Sequence, residues 1–157
     1  MLCREELKSV IRYDKKSGQF TWFLGPRRGR VAGCKNSDGY RVIRIGRSLY
    51  YAHRLAWLYV TGGWPVVKID HKNRNHDDNW IDNLREANSG QNAMNSKVNS
   101  NNKSGFKGVS WVKSRGRWVS RIYFGKRLFH LGYFSTSKEA GEVYKIKATE
   151  LFGCFAE

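Results

Sequence analysis

Between Ser96 and Ser104 the chain reads Ser-Lys-Val-Asn-Ser-Asn-Asn-Lys-Ser, a run with almost no large apolar side chain. Such a stretch cannot bury enough surface to offset the entropy of ordering itself. Any core must therefore lie on either side of it, and each core must be small. This predicts two modules, residues 1–95 and residues 104–157, joined by a polar linker at 96–103. The full 157 residues are 14% aromatic, enough to fill two modest cores.

The periodicity of the flanking segments points to an α+β protein. Phe20-Thr21-Trp22-Phe23, Tyr40 to Ile45 and Leu49-Tyr50-Tyr51 are strand candidates, with Gly46-Arg47 as a hairpin turn. One helix is expected from His53 through Tyr59, stopped by Thr61-Gly62-Gly63-Trp64-Pro65, where glycine entropy and the restriction before proline oppose continuation. After the polar run, Val109 to Val112, Trp118 to Phe124 and Leu128 to Leu131 predict three strands. A helix should follow, capped by Ser135, Thr136 or Ser137, with Ala140, Val143, Tyr144, Lys147 and Ala148 at helical spacing before Gly153.

Lys and Arg number 29 against 13 Asp and Glu, a net charge of +16. The sequence pI is near 10.1. A polyanionic partner is implied, either nucleic acid or an anionic membrane. No run of apolar residues is long enough to span a bilayer and the first residues lack the apolar stretch of a secretion signal, so a soluble, cytoplasmic protein with no membrane partner is expected, in a bacterial or phage-infected cell. Cys3, Cys34 and Cys154 are odd in number and far apart, which predicts free thiols rather than a disulfide or a zinc site. Arginines crowd the N-terminal hairpins, where few acids accompany them, and Arg28, Arg30, Arg41, Arg44 and Arg47 are candidate phosphate contacts.

The densest chemistry lies between Lys68 and Asn95, which opens Lys-Ile-Asp-His and runs on through Asn-rich sequence to Ser-Gly-Gln-Asn-Ala-Met-Asn. Cutting a phosphodiester requires an activated water, charge neutralisation on the phosphate and stabilisation of the leaving oxygen. A histidine base and one divalent cation meet those demands. Singly, Asn-rich runs mean turns and an Asp-His pair means little.

The spacing of the set resembles the HNH homing endonucleases, whose motif begins Asp-His, closes with asparagines and folds as a strand, loop and helix called the ββα-metal (His-Me) finger. The resemblance implies Asp70 as first metal ligand, His71 as general base, Asn83 as the residue orienting that base and Asn92 as second metal ligand, with Asn95 a rival one turn away. Carboxylate and amide oxygens suit Mg²⁺ or Mn²⁺ as the single cofactor. A neutral imidazole can take a proton from water, and a carbonyl oxygen on its other nitrogen would select the tautomer. Ser89 is a candidate N-cap that would start the last helix. His76 is expected in the polar turn with Asp77 and Asp78. His53 is expected to be structural, within Ala52-His53-Arg54-Leu55-Ala56-Trp57, a stretch that also occurs in phage-type members of this group.

Beyond the linker, Ser104-Gly105-Phe106-Lys107-Gly108-Val109-Ser110-Trp111, Gly116-Arg117-Trp118-Val119, Leu131-Gly132-Tyr133-Phe134 and Glu139-Ala140 resemble the APETALA-type domain of plant ethylene-response factors, which some homing endonucleases also carry. That implies a three-stranded antiparallel sheet on DNA with one helix behind it. Lys107 stands where the family has a contacting arginine, while Ser110 and His130 depart from the family residues. Alternation puts Trp118, Ser120 and Ile122 on one strand face and Arg117, Val119, Arg121 and Tyr123 on the other, the DNA candidate. Together the readings predict a monomeric, metal-dependent nuclease that binds duplex DNA and nicks one strand. A binding-only regulator and an RNA-binding basic protein are the alternatives.

Overall fold

The computed structural model describes residues 1–156 and divides the chain into two compact units, Met1–Asn88 and the residues from Ser89 onward. Both mix short helices with small antiparallel sheets.

In the first unit, helix α1 (Arg4–Val10) is an addition to the elements expected from sequence. Cys3 caps it in an unusual capping box: its Sγ accepts from the Glu6 amide at 3.4 Å, and its own amide donates to Glu6 Oε2 at 2.8 Å. Strands β1 (Ile11–Tyr13) and β2 (Phe20–Trp22) pair antiparallel, Tyr13 opposite Phe20. Strands β3 (Cys34–Lys35), β4 (Arg41–Ile45) and β5 (Ser48–Tyr51) form a sheet in that order, and Gly46-Arg47 makes the expected turn, Gly46 supplying φ 59°. Helix α2 (Ala52–Thr61) follows and ends at Gly62, whose φ of 88° is left-handed. Leu7, Ile11, Phe20, Ile43, Leu55 and Leu58 from these elements close one core.

That core also receives Ile69 and Leu84 from β6 (Lys68–His71) and β7 (Leu84–Ala87), an antiparallel pair with Asp70 opposite Arg85 and His71 opposite Leu84. Apolar anchors thus hold the strand that carries Asp70 and His71. The connection from Lys72 to Asn83 is polar, ends in a 3-10 turn at Ile81–Asn83 and contains Arg74, the one non-glycine residue with positive φ among those described.

The second unit begins with α3 (Ser89–Asn95), whereas the sequence pattern placed the boundary at 96–103. The reason is packing. Met94 joins Ile122 and Ala148 in the second core, where Tyr144 Oη lies 3.7 Å from the Met94 sulfur. The end of the polar run also belongs to this unit: Ser104 Oγ donates toward the Phe106 and Val109 carbonyls (both 3.0 Å), and Asn102 Nδ2 donates to the Phe106 carbonyl at 2.7 Å. Polar side chains order themselves there by satisfying backbone groups rather than by apolar burial.

Strands β8 (Val109–Val112), β9 (Arg117–Phe124) and β10 (Arg127–Phe134) form a sheet with β9 in the middle, and α4 (Ser137–Phe152) packs on it with Thr136 and Glu139 as a capping box. Arg117, Arg121 and Tyr123 are exposed as alternation predicts. Val119, assigned by the same alternation to the exposed face, is fully buried. It is on the central strand of the sheet, the middle of three cross-strand neighbours, Ser110, Val119 and Tyr133. No helix among the described residues is long and apolar enough to cross a membrane.

Candidate active site

Asp70 and His71 are consecutive on β6, so their side chains leave opposite faces of the strand, and both are buried. Arg85, opposite Asp70 in the hairpin, donates from Nε to Asp70 Oδ2 at 2.8 Å with both side chains almost fully covered. The guanidinium stabilises the carboxylate where water cannot. Register alone brings these residues together, and no local signal marks Arg85.

The ring of His71 meets an amide, and that amide belongs to Asn79. Asn79 Oδ1 lies 3.2 Å from His71 Nε2, while Asn79 Nδ2 donates to the Asp77 carbonyl at 3.0 Å and thereby turns the oxygen toward the ring. Asn79 is buried, and its own carbonyl accepts from Tyr13 Oη at 2.7 Å. Facing an acceptor, Nε2 carries the hydrogen in the neutral ring and the lone pair is on Nδ1. Burial holds the His71 pKa below its ordinary 6.5, although the Asn79 bond opposes that shift. The imidazole is therefore neutral, as a base must be, through neutral pH.

Asn83, expected to orient His71, does something else. Its Oδ1 accepts from the Asn73 amide at 3.0 Å, and its Nδ2 donates to Asn73 Oδ1 at 3.0 Å and to the Asp78 carbonyl at 2.7 Å. These bonds tie the two ends of the 72–83 connection to each other. Asn83 shapes the loop that presents Asn79 and reaches His71 only through it.

An aromatic enclosure surrounds His71. Tyr40 stacks on His76 (ring centroids 4.0 Å apart) and lies 6.0 Å from His71, while His53 meets His71 edge-on at 5.2 Å. His76 is in the polar loop as expected, its Nδ1 3.0 Å from the Asp38 carbonyl. His53 is in the core side of the enclosure. Burial first, then the neighbouring His71, Arg54 and His76, push its pKa down to about 3, and its Nδ1 has no hydrogen-bond partner among the described residues.

Asn92 and Asn95 are on α3 in the second unit, Asn92 half-buried and Asn95 buried. Among the described residues no group of three or more His, Cys, Asp or Glu is placed to hold a metal ion. In the first unit the available hard donor is instead a buried carboxylate, Asp70. Hard oxygen donors of this sparse kind fit Mg²⁺ or Mn²⁺, which keep waters and substrate phosphate in their remaining positions.

The predicted phosphate contacts separate into two kinds. Arg28, Arg30, Arg44 and Arg47 are exposed in the first unit, as are Arg117 and Arg121 in the second. Arg41 is different: its guanidinium grips Asp77 with two bonds, of 2.8 and 3.0 Å, and also reaches the Gly33 carbonyl at 3.2 Å. Lys35 adds a second cation to Asp77 at 3.1 Å, and together they hold that carboxyl below its usual range against the effect of burial. Arg41 is thus consumed in pinning the 72–83 loop to β4. Lys107 Nζ donates to the Met94 carbonyl, which commits it within the second unit. All three cysteines are free and exposed.

No solved structure matches the chain. Over 73 residues it is 39% identical to Protein 3.8 of Escherichia phage T7, an alignment covering 45% of this chain and 59% of that protein. The chain thus spans about three fifths of the length of that curated relative. Residues 50–94, which hold α2, the Asp70-His71 strand, the Asn83-clamped loop and β7, match the HNH endonuclease family.

Proposed function

We propose that the protein is a metal-dependent DNA endonuclease of the homing type that nicks one strand. The observation that carries this reading is the His71 ring, buried beside Asp70 with its Nε2 facing the fixed Asn79 oxygen, inside the segment that matches the HNH endonucleases. His71 Nδ1 accepts the proton of the attacking water. Asp70 would be the carboxylate ligand of one Mg²⁺ or Mn²⁺, with Asn92 or Asn95 the amide ligand that the family resemblance assigns, and the ion would supply charge neutralisation at the phosphate and the leaving 3′ oxygen. Arg85 orients Asp70 through the Nε–Oδ2 bond. Tyr40, His53 and His76 confine the His71 ring and lower its exposure to water. One such site on a monomer cuts one strand, leaving 5′ phosphate and 3′ hydroxyl ends.

Duplex DNA is held by Arg28, Arg30, Arg44 and Arg47 and, in the second unit, by Arg117 and Arg121. The second unit is read as an APETALA-type domain; its sheet of three strands, with α4 packed on it and two exposed arginines on β9, supports that reading. Supercoiled plasmid incubated with Mg²⁺ or Mn²⁺ should be nicked by the wild type, and not in chelator. Asp70→Ala and His71→Ala should lose cutting by about 10²- to 10⁴-fold while still binding, since phosphate contacts elsewhere carry affinity. Full activity in either variant refutes the assignment. Tight binding without any cutting in either metal identifies a regulator on a nuclease fold.

A further inference from the structure

Besides the His71 site, the first unit has a cavity of about 500 Å³ that takes no part in the cutting step, although Arg30 and Arg44 in its lining are among the proposed DNA contacts. Its lining is of two kinds: Trp22, Val42 and Leu49 are apolar, whereas Arg27, Arg30 and Arg44 are cationic. Among the described residues no carboxylate lies within ion-pair distance of those three arginines, in contrast to Arg41 with its two-point grip on Asp77. Arg27 stands over the Trp22 ring, 4.3 Å from its centroid, which holds a planar cation beside the space.

The walls are set by backbone bonds. The loop after β2 folds back on that strand, with the Trp22 amide donating to the Arg30 carbonyl at 3.0 Å and the Gly29 amide to the Trp22 carbonyl at 2.8 Å. A bridge between Thr21 and Val31 continues the pairing. Each half of this lining excludes a simple ligand. Three unpaired guanidiniums demand an anion, but a bare phosphate gains nothing from tryptophan, valine and leucine. A duplex backbone is convex: it can touch exposed Arg30 and Arg44 at the rim but does not fill the concavity. One ligand class satisfies both halves: a planar ring joined to a phosphate.

Resting on the DNA-binding reading above, we propose that this cavity takes one unpaired nucleotide of a DNA strand, its base stacked on the Arg27 guanidinium that Trp22 backs and its phosphates on Arg30 and Arg44. Aromatic and guanidinium faces stack any base. Extruding the base costs least where it has no partner, so a site with a bulged or unpaired base is favoured over a perfect duplex.

The test uses the full chain in chelator, so that nothing is cut, and three versions of one short duplex: fully paired, with a single bulged adenine, and with an abasic residue in the bulge. The adenine bulge should bind about fivefold or more tighter than both others, the range expected of one stacked base. Cys34, an exposed thiol in the cavity lining, reports occupancy directly. In a Cys3→Ser/Cys154→Ser background, the adenine bulge should slow maleimide labelling of Cys34 and the abasic bulge should not. Arg27→Ala and the exposed-site change Leu49→Glu should each erase the preference. Equal binding of the two bulges, or unprotected Cys34 in the complex, overturns the cavity assignment and leaves DNA binding standing; no binding to any of the three overturns both.

Discussion

Exchanging the two asparagines near His71 for alanine, one at a time, tests the site's internal logic. Asn79→Ala removes the acceptor on His71 Nε2 and the bond to the Asp77 carbonyl, of 3.2 and 3.0 Å. Unmaking a hydrogen bond in a buried setting costs about 1–3 kcal/mol. If that energy selects the tautomer with its lone pair on Nδ1, its loss slows the chemical step by about 5- to 150-fold, at 1.36 kcal/mol per decade. The slowing should stay below that of His71→Ala, because the base itself remains. Asn83→Ala removes three bonds that close the 72–83 loop, at roughly 1 kcal/mol each, so it should lower stability by about 3 kcal/mol and leave the protonation of His71 nearly unchanged. The assay is single-turnover plasmid nicking from acid to alkaline pH, paired with thermal melts. Since the Asn79 bond raises the His71 pKa, Asn79→Ala should move the acid limb to lower pH as well as slowing the plateau. The opposite pattern, with Asn83→Ala moving the acid limb and Asn79→Ala leaving it in place, would refute the assignment of these two roles.

His53 should make the fold acid-labile. Its folded pKa, about 3, lies below the ordinary 6.5, so the unfolded chain binds the extra proton; stability is full above 6.5 and falls on acidification, by on the order of 2 to 3 kcal/mol between pH 6.5 and 4.5. Urea melts of His53→Leu should lose that part of the slope, and an unchanged slope would show that other groups cause it. Arg41→Ala should lower the melting temperature without altering the salt dependence of DNA binding, whereas Arg44→Ala should leave stability nearly unchanged and reduce the log–log salt slope by about 0.9. Equal slopes for both variants would mean that Arg44 meets no phosphate. Gly18→Ala places a methyl against the backbone of Asn79 and Trp80 at a residue with φ +70°, so it should cost at least about 2 kcal/mol and slow nicking by displacing Asn79; wild-type melts and rates would show that the loop can move aside.

Local pattern was enough for much of this protein. The alternation around Gly46-Arg47 specified β4 and β5, Gly62 stopped α2, and Thr136 with Glu139 started α4, because each depends on residues within one turn or one hairpin. The Asp70-His71 pair and the asparagine spacing lie in the segment that matches the HNH endonuclease family, and they could be read for the same reason: that segment is a short, continuous stretch of chain. Helix α1 escaped because its cap is a cysteine, an uncommon acceptor for that position. Tertiary structure decided what proximity in sequence could not. In a run holding Asn73, Asn75, Asn79 and Asn83, composition does not say which amide faces the histidine and which one ties the loop; that follows from the path of the chain, fixed by Tyr13 and Arg41 from distant strands. Arg41 and Arg44 carry the same charge, yet Asp77 captures one and leaves the other exposed. Helix α3 joined the second unit because Met94 found its apolar partners there, more than 25 residues further along the chain. Charge, periodicity and motif are local properties and can be read in order along the chain. Partner choice among like residues is a matter of long-range packing, which only the folded chain resolves.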